Sequence, residues 1–341
     1  MELLAAIAGR DASASNADAD TSPTQTIGDA RTTPTTAPPI LILSEGGPRI
    51  GMGHIGRCLA IWEELADEAA FAVEGAGSAA LLAARGVPPA PASTPSPVVM
   101  IDRRTPTAPE AVARLHAEGR RICLLDDPGS GRAEADLVID PPTGCTWPPA
   151  GGRRLAGFKH ALVRADIRAA AARPRPGVEV LLSLGGADPE GLTPVLAQAL
   201  RAAGISVLSV LGPAYRGSAP GGEALEDAAQ WPAALAGARL LVGRFGHTLL
   251  EAAHLGTPAL AVATGAHAAA EARAFAGHGT CEAIGVEGSD GARAVAERTH
   301  ALLADTPRLR AMAARGQGLV DGRGAARVAA ALRELSAARG A

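Results

Sequence analysis

The sequence has few aromatic residues and a single lysine, and both shortages exclude classes of protein. Only 2% of the 341 residues are aromatic whereas 47% are hydrophobic, so leucine, valine, isoleucine and alanine must form most of any core. Lysine occurs once, at Lys159, and the net charge is −3. The chain therefore lacks the basic surface that a nucleic-acid-binding protein uses, and the lone lysine becomes a candidate site residue.

Cysteines and long apolar runs are also scarce, which argues against a secreted disulfide scaffold and a membrane protein. Cys58, Cys123, Cys145 and Cys281 are scattered, without the close spacing of a zinc site or a redox motif. No apolar run approaches the length of a membrane span, and the N-terminus lacks the features of a secretory signal. We therefore expect a soluble protein of the reducing cytoplasm, without a disulfide framework.

Residues 40–58 combine a buried strand, a glycine-rich loop and the start of a helix. Ile40 to Leu43 form a continuous apolar run, typical of a strand buried on both faces, and helical spacing begins at Ile55. Such a unit points backbone N–H groups and a positive helix end at an anion. His54 lies where the loop becomes the helix, so its imidazole can reach the ligand-binding edge of the sheet. A tight turn with a surface histidine is the alternative interpretation.

Short apolar strands alternate with helices along the rest of the chain, which favours parallel sheets covered on both faces. Two similar α/β halves, each with a glycine loop after its first strand, predict a ligand in the cleft between them. The N-terminal residues are mostly small or polar, which favours disorder. The predicted organisation is a disordered segment at 1–38, a first domain at 39–160, a linker at 161–177, a second domain at 178–322 and a C-terminal helix at 323–341 that can cross back to the first domain.

Two acidic motifs have competing structural and functional interpretations. Asp126 and Asp127 follow a predicted strand and can form a metal or acid–base pair, but carboxylates at such turns more often bond nearby backbone amides. Thr248 and Glu251 have the spacing of a capping box on a helix that Gly256 ends. Glu251 can also bind a ligand, and both roles are compatible only if its side chain points out of the helix end.

Five motifs occur in an order that resembles a known family. They are Gly51-x-Gly53-His54-x-x-Arg57-Cys58-Leu59, Asp126-Asp127, Gly157-x-x-x-Ala161-Leu162-x-Arg164, Gly185-Gly186-x-Asp188 and Glu251-x-x-x-x-Gly256-x-Pro258. Together they resemble the UDP-sugar hydrolases of pseudaminic acid biosynthesis and their spore-coat polysaccharide glycosyltransferase relatives. Those proteins are similar to the GT-B glycosyltransferase that makes lipid II. The resemblance covers about residues 38–290 and implies an α/β GT-B fold, with two Rossmann-like domains whose parallel sheets face across a cleft.

The resemblance also implies a UDP-sugar in the cleft, no metal and no other cofactor, and it assigns roles to residues. His54 would be the catalytic histidine, and Glu251 would accept hydrogen bonds from the ribose hydroxyls. The diphosphate would meet backbone amides, since glycine lets the backbone approach a phosphate closely. The implied nucleotide-binding residues are Gly185, Gly186, Arg244, Gly246, His247, Thr248 and Glu251. The implied sugar or acceptor residues are Glu45, Gly51, Gly53, Lys159, His160 and His267.

Three positions on the sugar-facing side depart from the family's pattern. The turn after the first strand is Ser44-Glu45-Gly46-Gly47 instead of a Ser-rich turn that contains aspartate. Lys159-His160 stands where a tyrosine is usual, and Ala266-His267 stands where an Asn-Gln pair is usual. Because the nucleotide-facing motifs are kept, the pattern implies a UDP-sugar enzyme with a different sugar specificity.

These observations predict a metal-independent glycosyltransferase that moves a sugar from a UDP-sugar to a small-molecule acceptor. His54 would take the acceptor's proton, and Arg244 would help to stabilise the departing diphosphate. Lys159, His160 and Arg49 would line the sugar pocket with positive charge, which suits a uronic acid, and a nucleobase is one possible acceptor. The alternatives are a UDP-sugar hydrolase, in which water replaces the acceptor, and a nucleotide-sugar-binding protein without catalysis.

Overall fold

The structure, a computed structural model, describes residues 37–47, 50–75, 77–140, 147–171, 177–286 and 290–338. Arg49, Cys145 and nearly all of the predicted disordered segment at 1–38 lie outside the described residues. The three described cysteines are buried free thiols, and burial raises the pKa of each. A buried free thiol of this kind acts as a small hydrophobic residue.

The first half of the chain forms a six-stranded parallel sheet in the order β2-β1-β3-β4-β5-β6. Its strands are β1 (Ile40–Glu45), β2 (Ala69–Glu74), β3 (Val98–Asp102), β4 (Arg121–Leu125), β5 (Leu137–Ile139) and β6 (Arg153–Leu155). Its helices are α1 (Gly53–Leu65), α2 (Ser78–Ala84) and α3 (Pro109–Ala117). All six residues of β1 are buried, as its continuous apolar run predicts.

The second half forms another six-stranded parallel sheet, in the order β12-β11-β10-β7-β8-β9. Its strands are β7 (Val180–Ser183), β8 (Val207–Val210), β9 (Ala224–Leu225), β10 (Leu240–Arg244), β11 (Ala259–Ala263) and β12 (Cys281–Gly285). The remaining helices are α4 (Ala165–Ala170), α5 (Leu192–Ala202), α6 (Trp231–Gly237), α7 (His247–Leu255), α8 (Gly265–Ala276), α9 (Gly291–Ala304), α10 (Thr306–Leu319) and α11 (Gly324–Ala337). The two sheets confirm the predicted α/β fold of two Rossmann-like domains.

The last helix, α11, packs on the first half of the molecule. Its apolar residues, Val328 and Leu332 among them, belong to the same buried cluster as α1. Arg333 pairs with Glu68 at 2.7 Å and thereby ties the exposed side of α11 to that half. The chain therefore crosses between the halves twice, once before α4 and once before α11.

Two elements between residues 147 and 171, β6 and α4, were not predicted from the sequence. Strand β6 pairs with β5, with Arg153 opposite Leu137, and α4 packs on the second half through Ile167. Only Leu155 of the three residues in β6 is buried, so this edge strand carries no apolar pattern. No helix in the described part of the chain is long and apolar enough to cross a membrane. The cytoplasmic location stays a prediction.

Candidate active site

Two cavities lie between the halves, at the carboxyl ends of the strands. The large cavity has a volume of about 510 Å³ and the small cavity one of about 120 Å³. Phe245, Gly246 and His247 line both and therefore separate them. The predicted site residues that line the large cavity are Gly51, Gly53, Gly185, Gly186, Arg244, Gly246, His247, Thr248 and Glu251.

Two helices, one from each half, begin at the wall of the large cavity. Helix α1 begins at Gly53 and α7 at His247, and both residues line the cavity. Neither helix has a side-chain cap or an acidic residue in its first turn. The first backbone N–H groups of a helix have no partner within it, and the helix dipole adds positive potential there. The cavity is therefore a suitable site for an anion.

Helix α5 begins differently, because the side chain of Asp188 occupies its N-terminal amides. The carboxylate accepts hydrogen bonds from Leu192 N at 3.1 Å and from Thr193 N at 2.7 Å. The aspartate of the Gly185-Gly186-x-Asp188 motif therefore accepts the hydrogen bonds of the first amides of α5. The two glycines of the motif face the cavity.

The glycine loops of the two halves meet in the cleft. Gly185 has a φ of +92°, a left-handed conformation that glycine adopts without strain. A Cβ atom on Gly186 would lie 3.1 Å from the backbone nitrogen of Met52, so a side chain there would crowd the other half. Gly186 therefore permits the close approach of the loops, and Gly185 permits the left-handed turn before it.

His54, the predicted catalytic residue, forms a dyad with Asp102 at the end of β3. His54 Nδ1 lies 2.7 Å from Asp102 Oδ1, and the carboxylate is fully buried whereas the imidazole is 20% exposed. An ionised carboxylate only accepts hydrogen bonds, so Nδ1 carries the proton and Nε2 has the free lone pair. This is the tautomer that a general base requires.

Arg57 keeps Asp102 ionised in its buried position. Arg57 Nε and Nη2 donate to the two carboxylate oxygens at 2.7 Å and 2.6 Å, and Cys58 Sγ donates to Oδ2 at 3.2 Å. Burial alone would raise the pKa of Asp102, but Arg57 and His54 bring the pKa well below its usual range. Arg57 Nη2 also lies 3.1 Å from His54 Nδ1, because both groups share the same carboxylate oxygen.

The two aspartates after β4 serve different partners, so they do not form a metal or acid–base pair with each other. Asp126 has a φ of +54° and pairs with Arg57 Nη1. Asp127 is buried and accepts hydrogen bonds from Thr107 N at 3.1 Å and from Gly129 N at 2.7 Å. The interpretation as a backbone-bonding turn residue is therefore correct for Asp127.

Glu251 lies deep in the large cavity, in contact with three polar side chains. Arg164 Nε donates to Oε1 at 3.0 Å, Trp231 Nε1 donates to Oε2 at 2.9 Å, and His247 Nε2 lies 3.3 Å from Oε1. Burial favours the neutral acid, but Arg164, His247 and Trp231 together lower the pKa of Glu251 to about 2. Glu251 is therefore an ionised, fixed hydrogen-bond acceptor in the cavity.

The predicted capping box of Thr248 and Glu251 is wrong. Helix α7 begins at His247 after Gly246, and no side chain caps it. Glu251 is thus the fifth residue of the helix, too far from the end to reach the residue before it. Gly246, with a φ of +152°, precedes the helix.

Arg244 lies at the edge of the large cavity, beside the start of α7. Its Nη2 lies 2.5 Å from Glu190 Oε2 and donates to Thr264 Oγ1 at 3.0 Å. The pairing lowers the pKa of Glu190 and fixes the guanidinium at the edge of the large cavity.

Three predicted pocket residues line neither of these two cavities. Lys159 is exposed in a short 3₁₀ turn and contributes only its carbonyl, which accepts from Arg327 Nη1 at 2.6 Å. The side chain of His267 is 92% exposed on the solvent side of α8. Glu45 is buried and accepts from the backbone nitrogen of Arg104. Only His160 of the Lys159-His160 pair lines a cavity, the small one.

Sequence reasoning assigned no role to Asp102, Arg57, Arg164 and Trp231. The sequence does contain an indication of Asp102, because β3 is an apolar run that ends in this acid. Such an acid points to the ligand-binding edge of a parallel sheet. Arg57 and Arg164 belong to the motifs of the resemblance, but nothing in the spacing pairs them with Asp102 and Glu251.

Comparison with known proteins shows similarity of structure but not of sequence. No protein-family model matches the chain, and no curated protein matches it. MurG from Acinetobacter baumannii is 15% identical with a TM-score of 0.58, and the match covers 87% of this chain and 100% of that one. A UDP-glucosyltransferase from Polygonum tinctorium, in complex with 3,4-dichloroaniline, is 14% identical with a TM-score of 0.58 over 89% and 98%.

The UDP-GlcNAc 2-epimerase from Neisseria meningitidis, bound to UDP-GlcNAc, is 10% identical with a TM-score of 0.59 over 86% of this chain and 100% of that one. Identities this low show the fold alone. The shared architecture of two six-stranded parallel sheets with a cleft confirms the predicted GT-B fold class.

Proposed function

We propose that this chain is a metal-independent glycosyltransferase that moves a sugar from a UDP-sugar to a small-molecule acceptor. The observation that carries the proposal is the His54–Asp102 dyad, at the start of a helix whose N-terminus faces the same cavity as that of α7. Two proteins of similar fold are named as a UDP-glucosyltransferase and an epimerase bound to UDP-GlcNAc. They support the proposal of a UDP-sugar as the ligand of the large cavity.

The dyad supplies the base for transfer. A nucleophilic oxygen or nitrogen of the acceptor bonds to the anomeric carbon of the sugar as the bond from that carbon to the β-phosphate oxygen breaks. The acceptor's proton passes to His54 Nε2, and the electron pair of the broken bond leaves with UDP. Asp102 fixes the histidine tautomer and stabilises the imidazolium that forms.

Negative charge grows on the departing diphosphate, and groups that line the large cavity would stabilise this charge. The backbone amides at the start of α7, with Gly185 and Gly186, take the place that a metal ion has in other enzymes. Arg244 adds a cation beside them, already held by Glu190. This arrangement stabilises the charge without reorganisation during the reaction.

Glu251 is the proposed partner of the ribose hydroxyls. Each of its carboxylate oxygens already accepts one hydrogen bond, from Arg164 or Trp231, and each retains further acceptor capacity. Because Glu251 lines the large cavity and stays ionised, it can accept from a diol. Arg164 and Trp231 act as positioning residues in this proposal.

The proposed sugar is a uronic acid, as in an enzyme similar to cytosylglucuronate synthase, but Lys159 is not its partner. Arginines line the large cavity instead, and three of them pair with acids, as Arg85 does with Asp166. Arg104 lines the same cavity with an exposed side chain and forms no ion pair with any described carboxylate. It is the proposed partner of a sugar carboxylate. Membership of the family that the motifs resemble is part of this proposal.

The proposal is tested by incubating the protein with UDP-sugars and following UDP release with and without candidate acceptors. We expect release only when an acceptor is present, and at least a hundredfold loss of kcat in His54→Ala with an unchanged Kd for UDP. Release without any acceptor would replace the transferase with a hydrolase. UDP binding without turnover on any pair would leave a nucleotide-sugar-binding protein.

A further inference from the structure

Asp126 begins a chain of hydrogen-bonded side chains that ends at the proposed catalytic base. Its carboxylate pairs with Arg57 Nη1, whereas Nε and Nη2 of the same guanidinium donate to Asp102 at 2.7 Å and 2.6 Å. Asp102 Oδ1 in turn accepts from His54 Nδ1 at 2.7 Å. The chain joins helix α1, the end of β3 and the turn after β4, and the proposed transfer reaction assigns no role to its outer member.

The charges of this chain determine how readily His54 takes up a proton. Arg57 Nη2 lies 3.1 Å from His54 Nδ1, and a positive charge so close disfavours an imidazolium. Burial opposes the charge of Arg57, but Asp102 and Asp126 raise its pKa well above the ordinary value, so the guanidinium stays charged. Two carboxylates and one guanidinium give the chain a net charge of −1, which a proton on His54 neutralises. Without Asp126, the guanidinium would cancel the charge of Asp102 and leave the imidazolium without a counter-ion.

The backbone at Asp126 does not need the carboxylate. Its φ of +54° lies in the left-handed region, where asparagine fits as well as aspartate. Its N–H donates to the carbonyl oxygen of Ile139 at 2.9 Å, which fixes the turn through the main chain. Replacing the carboxylate with an amide therefore removes the charge beside Arg57 and leaves the turn in place.

The other titratable groups around the small cavity, which Arg57 and Asp126 line, have partners of their own. They are His160 with the carbonyl of Ala156, His247 with Glu251, Asp140 with Arg132, and Glu271 with His267. None of the four forms a hydrogen bond or an ion pair with a described member of the chain. Glu271 and Asp126 do influence each other through charge, since Asp126 adds to the rise that burial causes in the pKa of Glu271.

The titratable groups on the side of the first sheet do not replace Asp126 either. The thiol of Cys58 donates to Asp102 Oδ2 at 3.2 Å, and burial raises its pKa well above the ordinary value, so it carries no charge. Glu45 and Arg103, where β1 and β3 end, pair with each other at 3.8 Å. Among the described carboxylates, only Asp102 and Asp126 therefore pair with Arg57.

We infer that Asp126 is a positioning residue of the His54–Asp102 dyad, which holds Arg57 in place and offsets its positive charge so that His54 can take up a proton. The catalytic meaning of this inference rests on the proposed transferase function. The influence of Asp126 on proton uptake by His54 does not.

The first test measures proton uptake by His54 directly, by NMR titration of the full-length protein with isotope-labelled histidine. The chain has eight histidines, and the signal that His54→Gln removes is that of His54. We expect Asp126→Asn to lower the pH at which His54 is half-protonated by about half a unit or more, since a negative charge near the imidazolium is lost. Arg57→Gln removes a positive charge and should raise that pH. Asp67→Asn and Arg310→Gln, both at exposed positions, are the matched controls and should leave it unchanged.

The second test is the pH dependence of turnover, followed by UDP release. In Asp126→Asn the acid limb of kcat/KM should move to lower pH, and the maximal kcat should fall about tenfold, because a weaker base takes the acceptor's proton less readily. The Kd for UDP should stay unchanged, because Asp126 lines the small cavity and not the large one.

An unchanged or raised half-protonation pH of His54 in Asp126→Asn would overturn the inference, even if that variant were less stable or slower. A shift of the same sign in Arg57→Gln would overturn it too, and if Arg57→Gln does not fold, Asp126→Asn decides by itself. If no pair of substrates turns over, the proposed function is overturned. The NMR titration then still shows whether Asp126 acts on His54.

Discussion

At the scale of single residues, the catalytic proposal depends on one buried carboxylate and the three groups that hold it. Asp102 has no exposed surface, and its neighbours Arg57, His54 and Cys58 all contact its two oxygens. A buried charge is tolerated only when it is paired and hydrogen-bonded, so this cluster keeps a negative charge beside an imidazole. The sequence predicts His54 as the base but does not identify Asp102, which would fix its tautomer.

Asp102→Asn tests this dependence with little change of shape. We expect kcat to fall about 10²-fold or more, because the amide no longer fixes the tautomer or stabilises the imidazolium. Steady-state kinetics and UDP titration should show an unchanged Kd for UDP, and Asp67→Asn, on an exposed turn, is the control. The double variant with His54→Ala should be no slower than His54→Ala alone, since the pair acts as a unit. Additive losses would show that Asp102 acts elsewhere.

Arg104 and Lys159 make opposite predictions about an acidic sugar. Arg104 is exposed at the wall of the large cavity and has no ion pair among the described residues, whereas Lys159 lines neither cavity. We expect Arg104→Gln to raise KM about tenfold for UDP-glucuronic acid, through loss of a charge-assisted hydrogen bond. KM for UDP-glucose should change little, and Lys159→Met should alter neither value. Equal effects on both sugars would remove the uronic acid from the proposal.

Glu251 links the pH dependence of stability to the nucleotide site. The ordinary pKa of a glutamate side chain is 4.5, whereas the pKa of Glu251 in the folded protein is about 2. As pH falls, the unfolded chain takes up the proton first, so stability present above pH 4.5 is lost as pH falls towards 2. This corresponds to on the order of 3 kcal/mol from Glu251. In urea titrations at several pH values, Glu251→Gln should lack this part of the loss.

The same variant should bind UDP more weakly by about 1–3 kcal/mol at pH 7, because the ribose hydroxyls lose a charged acceptor. Unchanged nucleotide affinity, with only the stability affected, would restrict Glu251 to its ion pair with Arg164.

At the scale of elements, an apolar pattern in the sequence predicts strands and helices that are mostly buried, such as β1 and α7. The run Ile40 to Leu43 and the residues from Leu249 to Leu255 predicted β1 and α7 because hydrophobic burial is what forms those elements. The strands β6 and β9 were missed because they are short edges with mostly exposed side chains. Such strands form through hydrogen bonds to an adjacent strand, and a single sequence does not show which strand will be adjacent.

Side-chain contacts between distant parts of the chain could not be predicted from the sequence for a related reason. Arg164 and Glu251 are 87 residues apart, and His54 and Asp102 are 48 apart, so no local period connects them. The predicted strands and loops placed site residues at the edge of the sheet but did not show which side chains form hydrogen bonds with each other. Lys159 shows the converse. It is the single lysine of the sequence, which suggested a site residue, but its side chain is exposed to solvent.

Gly246 controls where α7 begins, and this can be tested at the same scale. A Cβ atom there would meet no neighbour, but the φ of +152° is strained for any other residue. We expect Gly246→Ala to shift the first turn of α7 and to weaken UDP binding about tenfold in a titration. Gly318→Ala, in an exposed and unstrained position of α10, is the control and should leave the Kd unchanged. Equal behaviour of the two variants would contradict an anion site at the start of α7.

At the scale of the whole molecule, the two chain crossings between the halves touch each other. Gly324 begins α11, and a Cβ atom on it would lie 2.1 Å from the carbonyl oxygen of Ala161 in the first crossing. Arg327 adds a hydrogen bond from α11 to the carbonyl of Lys159 at 2.6 Å. The relative position of the halves, and therefore the width of the cleft, depends on this contact of two backbones.

Gly324→Ala should therefore act on the assembly of the halves and not on the nucleotide site. The methyl group cannot fit without separating the crossings, so we expect the free energy of unfolding to fall by about 1–3 kcal/mol. The Kd for UDP should stay within about twofold, because the amides proposed to meet the diphosphate lie in the loop after β7 and at the start of α7. Urea unfolding and UDP titration of the same preparation measure both quantities, and Gly318→Ala again controls for the substitution itself. An unchanged free energy of unfolding would mean that the crossings can move apart freely, and the halves would then be positioned by their cleft-side loops alone.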